Sequence, residues 1–544
     1  MSPPATAAEL IQQGLFHHRQ GDIAQAMERY VEVLRNDPKN ADALYYIAVV
    51  ACQDGQFKEG ADLARRAIAV GPPQARMHNL LGQALYRLGD RLEAIKNYDQ
   101  AIALDEKLAD AHGNRANVLA DAGFPDEALK SFDRALALNP MSATDWLNRG
   151  ALLQSLGRHA DALASFDKSI VCGPDVPEAH VNRGNALKDL GHFEVAGGLA
   201  NSPRFDEATA AYGKAITIDP TLDPAFLGRG LLNLLRGDWA AGFTDYEHRE
   251  KVGEPTFAAL PQPRWDGEAR PGERVVLVSE QGLGDTIQFC RFAPMLAARG
   301  LDVTILTRKA MAPLLSTLAG VTIATDAEAL AQEMAQDKRP LRWLPLLSLP
   351  RVLGIRPDSV PAAVPYLTVA PERVQAWRAR LGSGFKIGIN WGPGHSNYNS
   401  FAKRDIPLAA FAPLATLPGV QLVSLQKGPA VTQATEVPFS DRIITLNADP
   451  APDADFFLDT AAVMMSLDLV VTCDTSVTHL AGALARPVFT ALPVVGDWRW
   501  LIGREDSPWY PTLRLFRQDA GGRWEPVFAR IAEAVRALTS PGKP

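Results

Sequence analysis

The residue in this chain best suited by type and position to move a proton is Asp285, a carboxylate closing a glycine-rich turn. In Glu280-Gln281-Gly282-Leu283-Gly284-Asp285 the two glycines let backbone N–H groups approach a ligand at the start of a helix, a place that favours phosphate or another anion. A second negative charge there would repel phosphate, so Asp285 is better suited to taking a proton from an incoming hydroxyl. The same aspartate would equally serve to cap the helix. A second anion-suited turn is Asp474-Thr475-Ser476-Val477-Thr478-His479, where hydroxyls and backbone N–H groups converge ahead of another helix. Lys427, in Gln426-Lys427-Gly428-Pro429, would set a point charge beside it. Neither turn is a common nucleotide loop. Ile287 stands where a dinucleotide fingerprint needs its third glycine, and no Gly-Lys-Ser/Thr follows.

The elements that must hold these residues alternate between strand and helix, which implies a parallel α/β sheet. Val275 to Ser279 fits a strand covered on both faces, and Thr286 to Arg299 has the apolar spacing of a helix. Strand-like Val303 to Thr307, helical Ala310 to Leu318 and strand-like Val321 to Ala324 follow, and Leu341 to Leu353 leads to an exit at Val364-Pro365-Tyr366-Leu367. A second set begins at Lys386 to Trp391 and continues with Val420 to Leu425, a helix from Phe457 to Leu467 and a strand from Leu467 to Cys473. A helix over 476 to 485, strands Val488 to Leu492 and Leu513 to Arg517, and a helix from Pro526 to Leu538 complete it. Two such units facing one another put the C-terminal ends of both sheets around one crevice, where ligands bind.

Upstream lies a repeat. Gly21, Gly55, Gly89, Gly123, Gly157 and Gly191 stand 34 residues apart. Small Ala26, Ala94, Ala128 and Ala162 recur five residues on, rings Tyr30, Tyr98, Phe132 and Phe166 nine on, and Pro38, Pro72, Pro140 and Pro174 seventeen on. Each unit reads as a helical hairpin: the glycine permits the turn, the alanine allows close approach, the ring fills the gap and the proline ends the second helix. The sixth unit is interrupted by Glu194 to Phe205, which reads as a surface loop, and a seventh from Phe226 to about Glu250 caps the array. Asn114, Asn148 and Asn182 each lie nine residues before a turn glycine, on the first helix of a hairpin. A ladder of amides at equal spacing can bond the backbone of an extended peptide, or can simply bond the neighbouring helix. The adjoining Arg115, Arg149 and Arg183 recur with them, which favours the peptide groove, although ion pairs between helices would also account for them.

At 544 residues the chain is long enough for about three or four domains. Its net charge of -7 argues against a general nucleic-acid binder. Cys52, Cys172, Cys290 and Cys473 form no closely spaced pair, which points to a reducing compartment and no zinc site. The start, MSPPATAAELIQQG, has neither the basic residues nor the apolar core of a signal peptide, and no apolar run of about 18 residues could span a bilayer. A cytoplasmic location is expected.

The hairpins resemble the tetratricopeptide repeat, with Trp146, Gly150, Gly157, Ala162, Phe166 and Pro174 matching its pattern in one unit. EQGLGDTIQF, SLQKGP, CDTSVTHLAGALARPV and VGDWRWLIGREDSPWYP resemble the C-terminal region of bacterial tetratricopeptide-linked glycosyltransferases. Those are similar to the heptosyltransferases of lipopolysaccharide synthesis and, more remotely, to O-GlcNAc transferases, whose superhelix carries a similar asparagine ladder. The resemblance implies an α-solenoid over 1–253, a linker over 254–272 and a GT-B fold of two Rossmann-like halves, 273–370 and 371–544. It implies an inverting glycosyltransferase with Asp285 as catalytic base, and a donor site of Gly282, Gly284, Lys427, Asp474, Thr475, Ser476, His479 and Arg404. Ser476 replaces the family's glycine, and the loop from His395 to Arg404 departs from the family's text. With no DxD motif in the donor loops, a nucleotide sugar would be used without metal or other cofactor. The acceptor implied is a Ser or Thr of a protein held by Asn114, Asn148 and Asn182, with flagellin a candidate. The alternatives are a lipopolysaccharide glycosyltransferase and a non-catalytic repeat scaffold.

Overall fold

A computed structural model describes residues 5–253, 259–270, 272–337, 339–393, 404–446 and 456–539. The chain divides into two compact units, Met1–Ala186 and Leu187–Pro544.

Among its described residues the first unit is all helical. Five complete hairpins pair Ala7–Arg19 with Ile23–Asn36, Ala41–Gln53 with Phe57–Val70, Ala75–Arg87 with Arg91–Leu104, Ala109–Asp121 with Pro125–Leu138, and Ala143–Ser155 with His159–Cys172. The turn glycines at 21, 55, 89, 123 and 157 all take left-handed φ, between +76° and +88°, a conformation that costs glycine least. The first helices carry a further small residue under the ring of the second. A Cβ on Gly150 would lie 2.5 Å from the Phe166 ring, and one on Gly82 2.8 Å from Tyr98, so helix separation is set by a bare backbone against an aromatic face.

In the second unit the hairpins continue and then give way to sheets. The C-terminal part of helix Pro177–Ala196, from Leu187 on, packs on Arg204–Ile218, and Asp223–Arg236 pairs with Trp239–Tyr246, followed by a short 3₁₀ turn Glu247–Lys251. The expected loop from Glu194 to Phe205 is much shorter than the sequence indicates. The helix runs straight through Gly191, which is not left-handed but lies under Phe205, so its glycine serves close packing and the turn falls at 197–203.

Buried in this helix is His192, edge-on to Phe205 with ring centroids 5.8 Å apart. Burial, helped by the charge of Lys188, pushes its imidazole down to about 4. Since the unfolded chain takes up that proton near the ordinary value of about 6.5, stability is present above it and is lost as pH falls toward 4. We expect about 3 kcal/mol of acid destabilisation from this residue between pH 7 and 4. The check is a pair of urea midpoints at pH 7 and 4.5, which should converge in His192→Leu relative to wild type.

Among the described residues ten strands form two all-parallel sheets. The first four are β1 (Arg274–Val278), β2 (Asp302–Leu306), β3 (Val321–Ala324) and β4 (Leu341–Pro345), in the order β3-β2-β1-β4. The others are β5 (Phe385–Asn390), β6 (Val420–Ser424), β7 (Ile443–Thr445), β8 (Leu469–Cys473), β9 (Val488–Leu492) and β10 (Leu513–Arg517), in the order β10-β9-β8-β5-β6-β7. Strand order reverses between β5 and β8, the position at which crossover helices leave a crevice beyond the strand ends. The expected helix from Thr286 to Arg299 is instead three short pieces, Leu283–Phe289, Cys290–Phe292 and Ala293–Ala297, because Pro294 has no N–H to continue the ladder. Part of the expected linker, residues 254–258 and 271, lies outside the described residues. What is described packs on the first sheet, with Trp265 buried and Arg264 bridged to Trp343. Among the described residues no helix is long and apolar enough to cross a membrane.

Candidate functional site

β1 is buried along its whole length and delivers the glycine turn at its C-terminal end. Gln281 has left-handed φ of +56°, a strained value for a non-glycine residue that neighbouring structure must hold. Asp285 Oδ2 accepts from the Gly282 N–H at 2.8 Å, so the capping role is present. Its other oxygen, Oδ1, accepts from Arg499 Nη2 at 2.6 Å, from the loop after β9.

That arginine is the centre of a run of alternating charges. Arg499 is 6% exposed and also donates from Nε to Gln288 Oε1 at 2.9 Å and from Nη1 to Asp497 Oδ1 at 3.0 Å. Asp497 in turn accepts from Arg404 at 3.3 Å, and Arg404 stands 3.6 Å from the Asp474 carboxylate. Two cations and three carboxylates therefore join the turn after β1 to those after β8 and β9. Burial opposes the charge on Arg499, but Asp497 and Asp285 outweigh it and hold the guanidinium above its ordinary range. Burial likewise raises Asp474, with Arg404 opposing. At Asp497 burial acts upward too, but Arg499 and Arg404 prevail and the carboxyl lies below its ordinary value.

Helices Leu283–Phe289 and Ser476–Ala483 meet at their N-terminal ends. A Cβ on Gly284 would lie 2.9 Å from His479 Cδ2 and 3.4 Å from Ser476 Cα, so the second glycine of the turn is there for helix approach. His479 is buried, stacked on Trp500 at 5.5 Å, with Nδ1 3.0 Å from the Tyr510 hydroxyl. Burial, aided by Arg499, keeps its imidazole well below the ordinary range, hence neutral. Its ring thus packs between the two helices, at the position where the resemblance implies a donor loop.

Thr475 is fixed from below. Asn390, at the end of β5, accepts from Thr472 Oγ1 at 3.0 Å and Thr475 Oγ1 at 2.9 Å, and donates to Gln426 Oε1 at 2.8 Å. The buried Gln426 amide also receives the N–H groups of Trp391 and Gly392, each at 3.0 Å. One amide pair therefore locks together the loops after β5, β6 and β8, beside the switch point between β5 and β8. Lys427, next in sequence, is half-buried. Desolvation lowers its ammonium, opposed by the charge of Asp459. His395 lies outside the described residues, as does most of its loop, and Arg404 is the first described residue beyond it.

Sequence reasoning did not find Arg499, Asp497, Asn390 or Gln426. The only sequence signal was Arg499 set between two tryptophans after an aspartate, a charge in an aromatic loop.

In the first unit, Asn114, Asn148 and Asn182 are half-buried on first helices, and Asn114 Nδ2 donates to Asn79 Oδ1 at 3.1 Å. The recurring arginines are struts between helices: Arg115, Arg149 and Arg183 bond Asp99, Asp133 and Asp167 at 2.7, 2.8 and 2.7 Å. Their recurrence therefore does not argue for a peptide groove.

Descriptions of the tetratricopeptide repeat match residues 17–84, 79–140 and 113–177, so this stretch is a tetratricopeptide array. Protein FlbA of Caulobacter vibrioides is 28% identical over 340 residues, 57% of this chain and 54% of that protein. That share exceeds what the helical array alone provides, since its last turn ends at Lys251. Cellulose synthase 2 operon protein C of Komagataeibacter xylinus is 35% identical over 95 residues, 17% of this chain and 7% of that protein. The chain thus spans about half of the first relative and a small part of the second. Among solved structures, YrrB, a TPR protein with an unusual peptide-binding site, aligns at 25% identity with a TM-score of 0.28, covering 32% of this chain and 90% of its own.

Proposed function

We propose that the region after the repeats is an inverting glycosyltransferase of GT-B type, moving a sugar from a nucleotide-sugar donor to a Ser or Thr hydroxyl of a protein. The observation that carries this reading is the meeting of two loops. The turn bearing Asp285 leaves one parallel sheet, the Asp474-Thr475-Ser476 turn leaves the other, and Arg404 and Arg499 lie between them. The acceptor oxygen attacks the anomeric carbon as the bond to the donor phosphate breaks. Asp285 receives the hydroxyl proton, and the leaving phosphate takes the bonding pair. Arg404, Lys427 and the N–H groups at Thr475 and Ser476 stabilise that phosphate without a metal ion. Donor entry requires the arginines to exchange their present carboxylate partners for phosphate oxygens.

The repeats hold the acceptor protein and raise its concentration at the site. Flagellin is the first acceptor to test, since flagellin-decorating members of the resembled family share this layout. A scaffold reading draws on a specific observation, that both Asp285 oxygens are already bonded.

The test is intact mass of secreted and surface proteins from cells carrying wild type or Asp285→Ala. Loss of a sugar-sized mass from one protein is the expected result. An unchanged protein profile with altered lipopolysaccharide would move the acceptor to lipid, and no change in either would favour the scaffold.

A further inference from the structure

The terminal hairpin, Asp223–Arg236 with Trp239–Tyr246, does more than cap the array. Arg249, on the turn that follows it, is buried and grips Glu280 with two bonds, Nε to Oε2 at 3.0 Å and Nη2 to Oε1 at 2.6 Å. The same nitrogen donates to Ser348 Oγ at 2.9 Å, and Glu280 Oε1 also accepts from the Leu347 N–H at 3.1 Å. Glu280 therefore ties the exits of β1 and β4 to the last repeat. The next residue, strained Gln281, exchanges bonds with the Tyr246 hydroxyl at 3.3 and 3.4 Å.

On its other side the hairpin meets the loop that carries Arg499. Phe243 stands edge-on to Trp498 with centroids 5.5 Å apart, Tyr246 lies at 5.9 Å and Trp239 at 6.3 Å. Arg499 in turn stacks on Trp498, its guanidinium carbon 4.4 Å from the ring centroid, and reaches Asp285. The hairpin and the turn that follows it thus touch both loops of the candidate site: one through a buried ion pair, the other through an aromatic cluster.

We infer that Arg249 and Tyr246 are positioning residues for transfer, and that the working catalytic unit includes the terminal repeat rather than starting at the linker. The inference rests on the transferase reading for its kinetic part alone. A rigid mount is what a strained turn bearing a proton acceptor needs, because a displacement of about 1 Å can cost about 100-fold in rate.

Removing Arg249 alone would leave Glu280 buried and unpaired, and the fold itself could suffer. The informative variant is therefore the double change Arg249→Met with Glu280→Gln, which removes both charges, alongside Tyr246→Phe. Amide hydrogen exchange over 279–285 is measured in each, together with the unfolding midpoint, kcat, and KM for the nucleotide sugar. The expected result is a midpoint close to wild type, exchange in that loop at least tenfold faster, and kcat down at least tenfold with donor KM within twofold. Unchanged exchange would overturn the inference, and so would faster exchange with unchanged kcat. If wild type transfers no sugar, the transferase reading fails, and exchange alone then decides whether the hairpin holds the loop.

Discussion

Asp285→Asn is expected to lower sugar transfer by about 10²- to 10⁴-fold, the range over which a positioned general base contributes. The substitution keeps the shape of the side chain but exchanges one of its two acceptor oxygens for a donor. Either the Gly282 N–H or the Arg499 guanidinium then faces an NH₂ group, since wild type bonds both. In the proposed transferase the donor is held by other residues, so KM for the nucleotide sugar should change little while kcat falls. Single-turnover rates with purified protein check this, and loss through KM alone would remove Asp285 from the proton-transfer role.

Arg499→Met carries the second large effect, on stability as well as on rate. Arg499 is buried and bonds Asp285, Asp497 and Gln288 at once. Methionine fills much of its volume but leaves two carboxylates without their shared cation. Losing one member of a buried pair costs about 3–5 kcal/mol. Arg404 still faces Asp497, and Asp285 keeps its Gly282 bond, so the low end of that range, about 3 kcal/mol, is expected. Arg499→Lys should recover only part of this, because an ammonium cannot bridge several partners in the fixed fork of a guanidinium. Urea midpoints for the three proteins measure the difference. Equal midpoints for wild type and Arg499→Met would show the charge run to be dispensable for folding.

The helical array was legible because its signal is periodic and local. Glycines 34 residues apart report left-handed turns, and the turns at 21, 55, 89, 123 and 157 have them. Gly191 keeps the period but not the conformation, since insertion moved the turn and a nearby ring, Phe205, claimed the glycine for packing. The strands flanking the motifs were legible for the same local reason, whereas β7, three residues long, gave too little pattern.

The site was legible only in part. Asp285 and Asp474 announce themselves by their place after buried strands, and the structure sets both on one charge run. Arg499 could not be paired this way, because its partner Asp285 lies 214 residues earlier and its aromatic neighbours Trp498 and Trp500 do not say which carboxylate it meets. His479 shows the converse. A motif position implied a place at the donor loop, and its packing against Trp500, Tyr510 and Gly284 was not legible because those neighbours are distant in sequence.

Transfer of a sugar to protein is tested with purified components. Full-length chain is mixed with a panel of nucleotide sugars and a candidate acceptor, flagellin first. Nucleotide release and intact protein mass are then read together. The expected result is one sugar mass gained per nucleotide released, with both lost in Asp285→Asn. Nucleotide binding without mass gain on any protein, and without dependence on Asp285, would contradict it.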